Sequence, residues 1–202
     1  MSKSGKLREA PTLEQLHREL ERVRGRSRFT RALGRTLAAL ALIAAVTAAA
    51  VAAAPVLRVH GSSMYPTLRE GDLLVALRWM PCGAGDIAAF AYEDRILVKR
   101  IAAAGGDLVD IQPDGTVLVN GQTLDAPYDQ ECDPLEPDIA LPCRVPDDSW
   151  FVLGDNRAVS VDSRSAAVGC LSQKQTIGRI VLRIWPPERI GLLTGSPEVG
   201  EE

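Results

Sequence analysis

The sequence predicts a mainly β protein, in which an antiparallel β-sheet domain is tethered by one N-terminal transmembrane helix. Two observations lead to this fold class. A run of 22 residues without an ionisable side chain, residues 36–57, lies near the N-terminus. After Pro55, about seven short β-like runs follow one another, divided by turn residues. Because no helical pattern of about 10–15 residues separates these runs, antiparallel pairing is favoured over a parallel α/β sheet.

The apolar run has the length of a membrane-spanning helix, since a bilayer core of about 30 Å is crossed by about 20 helical residues. Six arginines are clustered just before it: Arg22, Arg24, Arg26, Arg28, Arg31 and Arg35. By the positive-inside rule, these charges keep residues 1–35 in the cytoplasm and place the rest of the chain outside. Residues 1–35 carry a net charge of +6 and the remaining residues −9, which agrees with this orientation.

A buried core helix and a cleaved signal peptide are the alternatives for this run. The arginine cluster opposes the core helix. Ala52–Ala54 could supply a cleavage site, but the residues ahead of the run are already as long as a whole signal peptide, and Pro55 would follow the cut. We therefore predict an uncleaved anchor at residues 36–57, an extracytoplasmic domain at 58–191 and a C-terminal tail at 192–202.

The elements on either side of the anchor are predicted from periodicity and turn residues. In the cytoplasmic segment, Thr12 and Gln15 form a capping box at the start of a short amphipathic helix. The apolar stripe of that helix is Leu13, Leu16, Leu20 and Val23. Beyond the anchor, turn signals at 113–115 and 120–121 are of the kind that joins antiparallel strands. The predicted strands are residues 73–77, 87–92, 96–101, 107–111, 116–120, 150–154 and 178–185.

The composition opposes two kinds of function. Nucleic-acid binding needs a basic face and benefits from aromatic side chains, whereas this chain has a net charge of −3 and 4% aromatic residues. No nucleic-acid partner is predicted. The sequence also contains no C-x-x-C motif and no nearby pair of histidines, so no metal site and no cofactor are predicted.

The cysteines agree with an exported domain. Cys82, Cys132, Cys143 and Cys170 all follow the apolar run. Four cysteines allow three complete pairings, and the sequence does not choose among them. Cys132 and Cys143 bracket an insert rich in proline and acidic residues, so a local disulfide across that insert is the favoured pairing.

Three segments contain candidate catalytic residues, although each also has an ordinary structural interpretation. The first segment is GSSMYPTLREGD, residues 61–72, and its composition is typical of a polar turn. ILVKRIAAAGGD, residues 96–107, places Lys99 inside an apolar strand. The third segment is GDNRAVSVDSR, residues 154–164, and its composition is typical of a structural loop held by paired charges. An unshifted lysine is neutral at pH 7 only about once in 2,500, but burial lowers its pKa from about 10.4 and makes it a general base.

Taken in this order behind an apolar anchor, the three segments resemble the type I signal peptidases, the membrane-bound Ser/Lys proteases of bacteria. The resemblance covers residues 56–191 and includes the closing strand GRIVLRIWPPERIG. The matching residues are Ser63-Met64-Tyr65-Pro66-Thr67-Leu68, Gly85-Asp86-Ile87, Lys99-Arg100 with Gly106-Asp107, and Gly154-Asp155-Asn156-Arg157 with Ser160, Asp162, Ser163 and Arg164.

The resemblance implies a role for each matching polar residue. Ser63 is the nucleophile, Lys99 is the general base that takes its proton, and Ser160 holds the Lys99 amine by a hydrogen bond. Asp162 and Arg164 are implied to form a structural ion pair. The backbone N–H of Ser63 would stabilise the oxyanion of the tetrahedral intermediate. His60 is interpreted as incidental, because the family uses no histidine here.

The resemblance also implies the substrate and the location. The family removes signal peptides from exported preproteins after Ala-X-Ala-like sites, using two shallow apolar pockets. Residues at or beside the positions that shape these pockets are Val59, Met64, Leu68, Leu97 and Val98. The lipid bilayer is the second implied partner. The location is the cytoplasmic membrane of a bacterium, in a single pass with the catalytic domain outside.

Two departures and three alternatives qualify this interpretation. Gly61 stands where some members carry an oxyanion-hole serine, which leaves the role of Ser62 open, and Ala158-Val159 stands where many carry Asp-Asn.

A self-cleaving repressor with the same dyad is opposed by the membrane segment. A catalytically silent binding protein is opposed by the presence of the three catalytic side chains. A relative that processes one pilin or conjugation precursor stays open.

Overall fold

A computed structural model describes residues 13–124, 136–193 and 195 of the 202-residue chain. Within these residues it contains one α-helix, α1, at Leu13–Ala53, and twelve β-strands. The strands are β1 Val56–Arg58, β2 Leu73–Leu77, β3 Ile87–Tyr92, β4 Arg95–Ala104, β5 Leu108–Ile111, β6 Val117–Val119, β7 Gln122–Thr123, β8 Cys143–Arg144, β9 Ser149–Leu153, β10 Leu171–Ser172, β11 Thr176–Trp185 and β12 Gly191–Leu192. The chain divides into two compact units, residues 1–50 and 51–202.

Helix α1 is longer than the sequence predicted. The short helix and the anchor, predicted as two elements, are one continuous helix of 41 residues. No proline interrupts this stretch, and an isolated glycine such as Gly25 or Gly34 costs a helix only about 1 kcal/mol. The segment Leu33–Ala53 is long and apolar enough to cross a membrane, with a mean hydropathy of 2.3 over its most apolar part. Thr12, and the side chains of Leu16, Leu20 and Val23, lie outside the described residues.

The helix ends before the predicted limit of the anchor. It stops at Ala53, and Val56 and Leu57, predicted to be the end of the membrane segment, form strand β1 instead. Pro55 explains this, because proline lacks the N–H that a continuing helix needs and drives the residue before it towards extended backbone. At the other end of the domain, Leu192 of β12 pairs with Leu182 of β11 and Leu193 packs against the core, although both residues were predicted to belong to the tail.

The strands form two antiparallel sheets, as predicted from the turn-divided pattern. The larger sheet has the strand order β1-β2-β11-β3-β4-β9-β10, with β12 also paired to β11. The smaller sheet has the order β7-β6-β5-β8. All seven predicted strands are present, including β2 and β3 with their predicted bounds. The five additional strands have only two or three residues, too few to show a period of two in the sequence.

The structure bears on two specific predictions, the turn at residues 120–121 and the disulfide between Cys132 and Cys143. Asn120 and Gly121 both have positive φ, 55° and 84°, between β6 and β7, which is the geometry that a two-residue hairpin turn requires. Cys143, one partner of the predicted local disulfide, is a free thiol, and Cys132 lies outside the described residues.

The apolar core beneath the first candidate catalytic segment is built by the sheet and by the segment itself. Leu74 from β2 and Ile180 from β11 pack there with Met64 and Leu68. All four side chains are at most 2% exposed. Burial of such side chains contributes about 1.5–3 kcal/mol each. The segment that contains Ser63 is therefore fixed on the face of the larger sheet.

Candidate active site

An open cleft of about 580 Å³ contains both Ser63 and Lys99. One wall is formed by residues 56–60, which are β1 and the two residues after it. The other wall is formed by residues 95–99, the first half of β4. The tertiary structure therefore brings the first two predicted catalytic side chains, 36 residues apart in sequence, to one surface.

Ser63 is held at the cleft by its backbone neighbours. Val59, four residues earlier, donates a hydrogen bond to the carbonyl of Asp72 and accepts one from Gly71, which closes the segment into a loop. The Ser63 carbonyl accepts a hydrogen bond from the backbone N–H of Asn156, at 3.0 Å. Met64 is 2% exposed, whereas Ser63 itself is partly accessible. The loop thus presents the Ser63 side chain to the cleft while its neighbours anchor it.

Lys99 lies on β4 opposite Ala88 of β3 and is only 3% exposed. Its Nζ donates a hydrogen bond to Ser160 Oγ at 2.8 Å. Burial is the main cause that lowers the pKa of Lys99 to about 8, the nearby Arg164 lowers it further, and the carboxylates of Asp162 and Asp155 oppose the shift. A pKa of about 8 leaves roughly a tenth of the amine neutral at pH 7, about 200 times more than for an exposed lysine.

The loop at residues 154–164 holds Ser160 in place through Asp162. The Asp162 carboxylate accepts hydrogen bonds from Gly154 N at 2.9 Å and from Arg164 Nε at 2.8 Å. Burial would raise the pKa of Asp162, but its hydrogen bonds and the Arg164 charge outweigh burial and hold the pKa below its usual value. The Ser160 side chain is another group that lowers the pKa of Asp162, so this carboxylate lies beside Ser160. Arg164 Nη2 donates to the Ser160 carbonyl at 3.2 Å, so the ion pair also holds the Ser160 backbone.

A second buried ion pair connects β4 to the same loop. Arg100, next to Lys99, donates from Nε and Nη2 to the two carboxylate oxygens of Asp155, both at 2.8 Å. Its Nη1 donates to the carbonyl of Gly85 at 2.8 Å. Both side chains of the pair are at most 4% exposed. A bidentate pair of this kind fixes orientation as well as distance, so it sets the position of the loop relative to β4.

Gly154 lies where the Ser63 loop and the Ser160 loop meet. A Cβ atom at this position would lie 2.1 Å from Ser160 Oγ and 2.5 Å from the Ser63 carbonyl oxygen. Only glycine fits, because no real Cβ approaches other atoms so closely. This role of Gly154 was not predicted from the sequence. The glycine was visible in the motif, but its contacts depend on a fold that the motif does not contain.

Four of the five predicted substrate-contacting residues line the cleft, namely Val59, Met64, Leu97 and Val98. Leu68 does not. It is fully buried in the core, and its backbone N–H bonds to the Met64 carbonyl, so its part is to support Met64 from beneath. His60 is also on the cleft wall, with its Nδ1 within 3.2 Å of the Arg58 carbonyl. Its ring has no hydrogen bond to Ser63 or Lys99 among those of the described residues.

A further charged cluster, which the sequence analysis missed, supports the Ser63 loop from behind. Asp72 is 1% exposed and pairs with Arg183 at 3.4 Å and Arg189 at 3.2 Å. Both arginines also donate to the carbonyl of Thr67. These partners are more than 100 residues from Asp72 in sequence, so no local pattern could reveal them. No cluster of three or more His, Cys, Asp or Glu side chains suited to a metal ion occurs among the described residues.

An antiparallel sheet that holds a serine hydroxyl and a buried lysine amine on one open cleft defines the class of this protein as a serine hydrolase. Residues 30–185 match the protein family described as "Signal peptidase, peptidase S26". With that match over most of its length, the chain belongs to the signal peptidase family.

Individual relatives are similar over about two thirds of the chain. "Probable signal peptidase I-2" of Synechocystis sp. is 36% identical over 69% of this chain and 67% of its own length. "Signal peptidase I" of Leptolyngbya laminosa is 34% identical over 69% and 72%, and "Signal peptidase I S" of Bacillus subtilis is 35% identical over 63% and 75%. A solved signal peptidase I from Enterococcus faecalis V583 is 28% identical, with a TM-score of 0.41 over 50% of this chain and 97% of that one.

Proposed function

We propose that this chain is a membrane-anchored endopeptidase that removes N-terminal signal peptides from exported preproteins, using Ser63 as nucleophile and Lys99 as general base. The observation that carries this proposal is the buried Lys99 amine, hydrogen-bonded to Ser160 in the cleft that also contains Ser63. A serine hydroxyl is a weak nucleophile until a positioned base accepts its proton. Of the lysines that the structure describes, Lys99 alone lines this cleft.

The hydrogen bond to Ser160 leaves the nitrogen lone pair of Lys99 available to accept a proton. A neutral amine has two N–H bonds and one lone pair. Because Ser160 Oγ accepts one N–H, the lone pair is free to take the proton from Ser63 Oγ as that oxygen attacks the scissile carbonyl. Lys99 then returns the proton to the leaving amine. In the second half of the reaction it deprotonates the water that releases Ser63 from the acyl-enzyme.

The substrate is proposed to bind as an extended strand in the cleft. Among the described residues, β1 pairs only with β2, and residues 95–99 of β4 pair only with β3. Both walls therefore offer backbone N–H and C=O groups to an added strand. Val59, Leu97 and Val98 supply apolar contacts that suit the small side chains of an Ala-X-Ala site.

The proposed location follows from the apolar part of α1. Leu33–Ala53 has the length and hydropathy to cross a membrane, and basic residues precede it. By the positive-inside rule, the N-terminus is cytoplasmic and the catalytic domain lies outside a bacterial cytoplasmic membrane. Ser63 follows the end of the helix by only ten residues, and this short spacing supports a reaction close to the lipid surface.

Cleavage of a preprotein with an Ala-X-Ala site by the purified full chain in detergent tests this function. The expected product ends after the second alanine of the site, and the Ser63→Ala variant yields none of it. A preprotein with leucine at that second alanine is the specificity control and should remain uncut, because the larger side chain does not fit the pocket. Equal cleavage by wild type and Ser63→Ala would show that Ser63 is not the nucleophile. Cleavage of one dedicated precursor alone would restrict the substrate, and cleavage of no precursor would favour a silent binding protein.

The pH dependence of kcat/KM should report the lowered pKa of Lys99. Since only the neutral amine can accept the Ser63 proton, activity is expected to rise about tenfold per pH unit at low pH and to level off above about pH 8. The measurement is a kcat/KM profile between pH 6 and 10. The matched control is His60→Gln, which removes the imidazole on the cleft wall and should keep the same midpoint. A midpoint near 10 would show that Lys99 is not desolvated in solution.

A further inference from the structure

Two of the cysteines that the sequence left unassigned are neighbours in the structure. The Cys143 thiol, 27 residues earlier in the chain, is among the groups that raise the pKa of the Cys170 thiol, so the two side chains lie close to each other. Both residues are half-buried, and both are free thiols. Cys82, the third cysteine among the described residues, belongs to a different apolar cluster, against which it packs with Tyr92.

The two neighbouring cysteines are fixed by different sheets. Cys143 begins β8 of the smaller sheet, where it pairs with Val109 of β5. Cys170 directly precedes Leu171, which is 1% exposed and pairs with Trp150 in the larger sheet. Cys170 also packs against the apolar cluster that contains Val109. Because cross-strand partners share a face of their sheet, Cys143 lies on the same face as Val109, in the cluster against which Cys170 packs and in which side chains of both sheets meet.

We propose that Cys143 and Cys170 form a disulfide bond that links the smaller sheet to the larger one. The bond goes beyond the proposed peptidase activity and needs only the oxidising side of the membrane, on which the proposed orientation places the domain. It would replace the Cys132–Cys143 pairing favoured from the sequence. It would close the chain from residue 143 to residue 170, which includes the whole 154–164 loop that holds Ser160.

The oxidation requires an acceptor, which is a disulfide of a thiol–disulfide oxidoreductase or of a small thiol. A thiolate of the pair attacks that disulfide, one acceptor thiol leaves, and a mixed disulfide forms. The second cysteine then attacks the mixed disulfide, which creates the Cys143–Cys170 bond and releases the second acceptor thiol. Two electrons and two protons pass from the cysteines to the acceptor.

Burial and the neighbouring Cys143 raise the pKa of the Cys170 thiol to about 11. Cys170 is therefore almost entirely protonated at neutral pH, and only the thiolate is a nucleophile. We expect slow bond formation in the folded, reduced protein and faster formation while the chain folds in the presence of the acceptor.

Peptide mapping of the full chain, purified in detergent and refolded with glutathione disulfide, tests the pairing. Residues 101–143 contain no lysine or arginine, so trypsin, which cuts after Arg100 and Arg144, leaves Cys132 and Cys143 on one peptide. Additional cleavage before Asp133 by an Asp-specific protease separates them. The expected result is a Cys143 peptide joined to the Cys170 peptide and lost on reduction. A Cys132–Cys143 link, or free alkylation of Cys143 and Cys170 after oxidation, would overturn the proposal.

Thermal unfolding gives an independent readout that does not depend on peptidase activity. A disulfide across a loop of this length is expected to raise Tm by about 5–15 °C over the reduced protein. This difference should vanish in Cys143→Ser and in Cys170→Ser, and should persist in Cys132→Ser, the matched control. The same Tm for oxidised and reduced wild type would refute the bond. The comparison of Tm between oxidised and reduced wild type remains informative even if a serine variant folds poorly.

Discussion

Replacing Lys99 with arginine is expected to reduce kcat/KM for preprotein cleavage by at least about 10³-fold, because the proposed mechanism needs a base at this position. A guanidinium keeps its proton at every pH at which a protein is folded, so it cannot accept the proton of Ser63 Oγ. The positive charge of position 99 is retained in this variant. The loss of activity would therefore separate the role of the neutral amine from any role of the charge.

Two comparisons make the Lys99 experiment decisive. Lys174→Arg carries the same chemical change at an exposed position outside the cleft, and its activity should equal that of the wild type. Lys99→Met has a side chain of similar length without a charge, and it should be as inactive as Lys99→Arg. Circular dichroism and Tm should show that both variants are folded. Substantial activity in either folded variant would mean that a group other than Lys99 is the base.

Gly154→Ala is expected to reduce activity by about 100-fold or more and also to lower stability. The added methyl group would lie 2.1 Å from Ser160 Oγ and 2.5 Å from the Ser63 carbonyl oxygen, so the Ser63 and Ser160 loops must move apart. A displacement of about 1 Å in an active site can cost about 10²-fold in rate, and overpacking costs about 1–3 kcal/mol of folding free energy. The measurements are kcat/KM and the urea unfolding midpoint.

Gly191→Ala is the matched control for this substitution. A Cβ at Gly191 meets nothing within 4 Å, and its φ is not in the positive region. Its activity and unfolding midpoint should stay close to those of the wild type. If Gly154→Ala retains wild-type activity, the contact between the Ser63 and Ser160 loops does not control the geometry of the cleft.

The parts of this protein that were predictable from sequence are encoded in contiguous residues. The short apolar runs of β2 and β3, and the turn at Asn120-Gly121, are local properties of the chain, and each has its predicted place in the structure. The motifs around Ser63 and Lys99 are also local. The end of the anchor was misplaced by four residues because hydropathy continues through Val56 and Leu57, whereas Pro55 ends the helix.

The sequence by itself therefore determined the apolar helix, the antiparallel class of the sheets and the side chains that are candidates for chemistry. The tertiary structure decided which of these candidates meet: Lys99 with Ser160, 61 residues away, and Asp72 with Arg183, 111 residues away. It also placed Leu68 in the core beneath the cleft. The physical reason is that contact, burial and the lowered pKa of a lysine depend on strand register and sheet order, which local periodicity does not specify.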